Sequence, residues 1–124
     1  MCIRDRSETI GAATITSNII AVSYADSAVF YAGGTPSALM TMNVTNLPSV
    51  TDTTRVYTMN IIYPTTAGNY YINSVGVNGA AAATPKFPSA PSATGTNTLV
   101  SQQFIFVYQN STFRILSSVI NYST

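Results

Sequence analysis

Beyond its first six residues the chain has only six charged side chains, Glu8, Asp26, Asp52, Arg55, Lys86 and Arg114, and no histidine anywhere. Acid–base or nucleophilic chemistry at neutral pH would have to be assembled from these few groups. Asp26 and Asp52 are the pair that could cleave a glycoside, if they flanked a cleft about 5 to 9.5 Å apart. Each stands in a turn-like setting, Tyr24-Ala25-Asp26-Ser27 and Val50-Thr51-Asp52-Thr53, where an aspartate accepts backbone hydrogen bonds. A serine nucleophile would have Lys86 as its base, yet Thr84-Pro85-Lys86-Phe87-Pro88 belongs to no Ser-x-x-Lys pattern. Gly33-Gly34 lacks the Gly-Lys-Ser or Gly-Lys-Thr of a phosphate-cradling loop, and the carboxylates are too dispersed for calcium. No catalytic, cofactor-binding or metal-binding residue is therefore expected, and the chain reads as a scaffold or binding module rather than an enzyme.

The eight tyrosines, set among Asn and Ser, carry the remaining functional signal, because aromatic faces and amides suit adaptable recognition of sugars or proteins. Tyr70 and Tyr71 are the candidate surface recognition residues. Adjacent strand residues point to opposite faces, so at most one of the two joins the core from a given sheet side and the other can meet solvent or a partner.

Residues 1–6, MCIRDR, resemble the translated end of a transposase sequencing adapter and are set apart from the fold. Residues 7–124 are expected to form one β-sandwich domain, a piece of a longer protein whose N-terminal portion lies upstream. Without the adapter the acids and bases balance, which favours neither nucleic acid nor an anionic membrane as a partner. No uninterrupted apolar run is long enough for a membrane-spanning helix, and no membrane insertion is expected. The hydrophobic fraction of 46% separates the chain from disordered sequences of equally low charge. Ser, Thr and Asn in place of Lys and Glu favour turns and strands over helix interiors.

Alternation of apolar and polar residues predicts an all-β fold. Residues 38–45 place Met40, Met42 and Val44 on one face, and residues 54–63 place Tyr57, Met59, Ile61 and Tyr63 together, with Pro64 ending the pairing. A turn near residues 48–52 would join these two strands. Residues 70–77 lead into Asn78-Gly79, a type I′ hairpin signal, with 80–85 as a weakly patterned return. Residues 86–98 form the longest loop. Residues 99–108 put Val100, Phe104, Phe106 and Tyr108 on one face and Ile105 and Val107 on the other, predicting a central strand covered on both sides. Residues 113–122 should return as its antiparallel partner, with Phe113, Ile115 and Val119 opposite Leu116, Ile120 and Tyr122. Residues 13–22 and 28–31 add two strands. The expectation is an antiparallel β-sandwich, jelly-roll-like, of seven to eight strands, with no internal repeat; a parallel sheet would need intervening helices.

The run from Tyr24 to Tyr31 (YADSAVFY) and the later MTMNVTN, NYYIN, VGVNG, PKF and QQF segments resemble C-terminal modules of virion structural and tail-fibre-like proteins of marine T4-like bacteriophages. The resemblance spans most of residues 11–122 and carries no defined site residues. It implies a virion component, displayed outside the cell on a tail or fibre, forming a homo-oligomer, expected as a trimer, with other virion proteins as neighbours. Bacterial surface glycans are a further implied partner. The alternative reading is a carbohydrate-binding adhesin-type domain of bacterial or viral origin.

Overall fold

Runs of β-branched and aromatic residues, punctuated by Ser, Asn and Gly, give eight strands and no helix among the described residues. The computed structural model describes residues 10–48, 54–65, 70–88 and 98–123. The strands are β1 (Gly11–Thr14), β2 (Ile19–Ser23), β3 (Val29–Gly33), β4 (Met40–Thr45), β5 (Arg55–Thr65), β6 (Ile72–Val77), β7 (Thr98–Gln109) and β8 (Thr112–Ser123). They form a five-stranded sheet ordered β1-β3-β5-β7-β8 and a three-stranded sheet ordered β2-β4-β6.

The all-β prediction holds, but the antiparallel, jelly-roll-like sandwich is corrected to a mixed architecture. β1, β3 and β5 are mutually parallel, as are β2, β4 and β6. Among the described strands β5–β7 and β7–β8 pair antiparallel. The chain reaches this arrangement by alternating between sheets, so that each pair β1–β2, β3–β4 and β5–β6 makes one turn of a flattened coil stacked on the next. A parallel pair needs a crossover, and here the strand in the opposite sheet serves where a helix usually would. The stack is a structural repeat with unequal steps: Ile19, Thr41 and Ser74 lie side by side in successive turns. Unequal steps leave no period to read in the sequence.

Two local expectations change with the topology. The single strand expected at 13–22 is two, one in each sheet, split by Ser17 and Asn18 at φ 51° and 62°. Thr16 and Ile19 exchange backbone hydrogen bonds of 3.0 and 2.9 Å across that turn. The strands expected to be joined near 48–52 are not neighbours, since β4 and β5 belong to different sheets; residues 49–52 of that turn lie outside the described residues. Pro64 also fails to end β5, which runs to Thr65 and pairs Pro64 with Leu99. The Asn60 N–H donates to Ala28 O of the β3 side, so the even-numbered amides of β5 face β3, whose pairing stops at Tyr31 and Ile62. Proline's missing donor is therefore lost where no ladder bond is needed.

Other expectations are met. β7 and β8 form the antiparallel hairpin, turning on Asn110 and Ser111 at φ 53° and 59°. Asn78 and Gly79 have φ 52° and 84°, as the hairpin signal requires, but the return of 80–85 is reduced to one bridge between Val75 and Ala83. From there the chain crosses to the larger sheet, where the Lys86 N–H donates to Ile115 O and Lys86 O accepts from the Ser117 N–H. Residues 83–86 thus tie the edge of one sheet to the edge of the other.

The inner faces of both sheets share one core, including Ile20, Val22, Met42, Val44 and Val75 from the small sheet and Phe30, Met59, Ile61, Phe104 and Phe106 from the large one. Thr65, Gln102 and Ser117 are the buried polar residues among those described, and Gln102 is completely enclosed. Gln102 of β7 shares the inward face of Val100 and Phe104, and its carboxamide clasps the Ile72 backbone of the opposite sheet. Nε2 donates to Ile72 O at 2.8 Å and Oε1 accepts from the Ile72 N–H at 3.0 Å. The same Oε1 accepts from the Tyr63 hydroxyl at 2.8 Å, and Nε2 also donates to Ser117 Oγ at 3.0 Å. All four hydrogen-bonding positions of the amide are used.

Candidate functional site: the outer face of the large sheet

Strand alternation sends every second side chain of β3, β5, β7 and β8 away from the core. The registers set these side chains in rows across the sheet. The central row is polar: Asn60, Gln103 and Ser118, with Val29 at its β3 end. On one side lie Thr58, Ile105 and Leu116, and beyond them Val56, Val107 and Arg114. On the other lie Tyr31, Ile62, Ser101 and Ile120, then Pro64, Leu99 and Tyr122. Val56, Ile120, Tyr122, Tyr31 and Leu116 remain 59, 51, 54, 43 and 41% exposed. The expectation that β7 is covered on both sides is corrected: Ile105 and Val107 are half-buried by their neighbours within the sheet. The outer face of the small sheet is less apolar, presenting Ile19, Ala21, Thr41, Asn43 and Thr45.

A recess of about 350 Å³ opens on the β8 side of this face, where Lys86, Phe87 and Pro88 stand against Gln103, Ile105, Leu116, Ser117 and Ser118. A second, of about 490 Å³, lies along the β8 edge where Lys86 and Arg114 border Phe113, Ile115 and Leu116. Apolar floors with a few amide, hydroxyl and cationic groups can hold a sugar ring or an apolar side chain; no nucleophile with a paired base stands among their lining residues.

Tyr70 and Tyr71 directly precede β6, and both are half-buried. Tyr71 meets Phe87 edge-on at 5.6 Å, and its carbonyl accepts from the Met40 N–H at 2.9 Å. The Tyr71 ring therefore supports the wall of the smaller recess through Phe87. Asp26 is exposed in the turn between β2 and β3, its N–H donating to Ser23 O at 3.1 Å. Asp52 and Glu8 lie outside the described residues. Among the described residues no three His, Cys, Asp or Glu side chains gather where a metal could bind, and no helix is long and apolar enough to cross a membrane.

Sequence alternation named Ile105 and Val107, and also Leu116, Ile120 and Tyr122, as opposite faces of their strands. It did not reveal that these faces combine across β5, β7 and β8 into one surface, because that depends on strand order. Compared with protein-family models, with curated proteins and with solved structures, the chain matches none.

Proposed function

We propose that this chain is a structural module of a bacteriophage virion, tail or tail-fibre associated, working through sheet packing and contacts to sister subunits or the host surface. The observation that carries this reading is the outer face of the large sheet, where rows rich in exposed apolar side chains flank a polar central row and Arg114 is the one charged residue in the rows described. Surfaces of this kind mark protein contact sites. The two-sheet stack closed by the Gln102 clasp supplies the rigidity such a part needs, and the near absence of ionisable side chains suits a role in shape rather than chemistry. The module would reside in the extracellular particle as a homo-oligomer, with other virion proteins beside it. Mass spectrometry of purified particles from a phage encoding this frame tests the proposal. Recovery of its peptides at a fixed stoichiometry to the tail proteins is expected, and their absence from intact particles would overturn it.

A second reading, a carbohydrate-binding adhesin-type domain, draws on the recess between Phe87 and Gln103. Saturable binding on an array of bacterial surface glycans, lost in Gln103→Ala with the fold intact, would favour it. Silence across the array would remove it.

A further inference from the structure

From the rows on the large sheet we infer that its outer face packs against the same face of a second copy of this chain. The inference rests on the structural-module reading and names the surface through which that module would assemble, a twofold contact in place of the trimer that the resemblance implies.

Three features point to a second copy. The first is size. Three long strands about 4.8 Å apart and some 36 Å long, with the shorter β1 and β3 beside them, present a face on the order of 700 Å². That approaches the roughly 800 Å² per partner of a stable protein interface, about a tenth of a small protein's surface. The chain's whole accessible surface is 7068 Å².

The second is symmetry. The polar row Asn60–Gln103–Ser118 runs through the middle of the face, with largely apolar rows, interrupted by Thr58 and Ser101, on both sides. A twofold axis lying in the interface, whether along the strands or across them, brings this row onto its own counterpart and lays apolar rows on apolar rows. Amides and hydroxyls then meet groups able to pair with them, as an isologous contact requires. The third is charge. Arg114 lies in the outermost row, so two copies can close without burying like charges at the centre. The small sheet's outer face carries Ile19 beside Ala21, Thr41, Asn43 and Thr45, a smaller apolar area than the large sheet offers.

The test is sedimentation of the 124-residue chain across roughly 1–500 μM, compared with Leu116→Arg/Ile120→Arg on the large sheet and Ile19→Arg/Ala21→Arg on the small one. All four sites are exposed, and a circular-dichroism melt verifies the fold of each variant. Self-association weakened about tenfold or more by the first pair and unchanged by the second is expected. Association lost only through the small-sheet pair would overturn the assigned face while leaving the module reading intact. A wild-type monomer at every concentration would overturn the self-packing face, whereas the module reading stands or falls on the particle mass spectrometry. If the arginine pair fails to fold, bis-maleimide cross-linking in a Cys2→Ser background replaces it. Gln103→Cys, in the central row, should yield cross-linked dimer and Ala21→Cys none; the reverse pattern would count against the proposal.

Discussion

Gln102 links the two sheets directly, adding a polar clasp to their shared apolar core. Replacement by leucine keeps the volume but strips partners from the Ile72 N–H and carbonyl and the Tyr63 hydroxyl, while Ser117 Oγ keeps its bond to the Gln103 carbonyl. Each buried group left unpaired costs roughly 1–3 kcal/mol, so Gln102→Leu should destabilise the domain by about 3 kcal/mol or more in urea titrations. Tyr63→Phe removes a single hydrogen bond and should cost about 1 kcal/mol. Tyr63 also gives the molecule a pH limit, because burial raises its phenol well above the ordinary range near 10. In the unfolded chain the phenol ionises first. The stability it contributes is therefore complete below about pH 10 and falls as pH climbs toward the folded value. Urea midpoints measured between roughly pH 9 and 11.5 should fall, and Tyr63→Phe should fall less steeply. Parity along β7 alone sets Gln102 on the core side with Val100 and Phe104. Its partner in another sheet was not legible, since that contact depends on β6 lying across the core.

At the scale of elements, strand positions and inward faces were largely legible, while partners were not. Met40, Met42 and Val44 of β4 and Met59, Ile61 and Tyr63 of β5 are buried as their alternation requires. Alternation specifies a face, however, and is silent about whether the next strand returns beside it or crosses to the other sheet. The Ser17-Asn18 turn shows why one strand was expected where two exist: Asn tolerates positive φ, but the pair sits inside an apolar run that looks continuous. Gly34 marks the comparable point in the second turn of the stack. Its φ is +112°, and an added Cβ would lie 3.0 Å from Ile15 O and 3.3 Å from Ile15 Cβ. Gly34→Ala should therefore cost about 1–3 kcal/mol, read from the thermal midpoint.

For the whole molecule, the strand order turns separate half-apolar strands into one surface. The sequence contained the composition of that surface but not its assembly, because Tyr31, Ile62 and Ile120 meet in one row only through β3–β5–β7–β8 pairing. Self-association through such a face should be nearly insensitive to sodium chloride, and strengthened by sulfate, since it relies on apolar burial rather than ion pairs. Sedimentation at low and high salt measures this; a steep loss with chloride would indicate that charge governs the contact.

The strand order itself supports every step from core to surface, and interstrand contacts in solution by NMR test it most directly. Parallel contacts linking Val22 to Val44 and Val44 to Val77 are expected, together with antiparallel Hα contacts between β7 and β8. Antiparallel Hα contacts between β3 and β4, or between β4 and β5, would show consecutive strands paired as hairpins and would contradict the two-sheet stack and the surface derived from it.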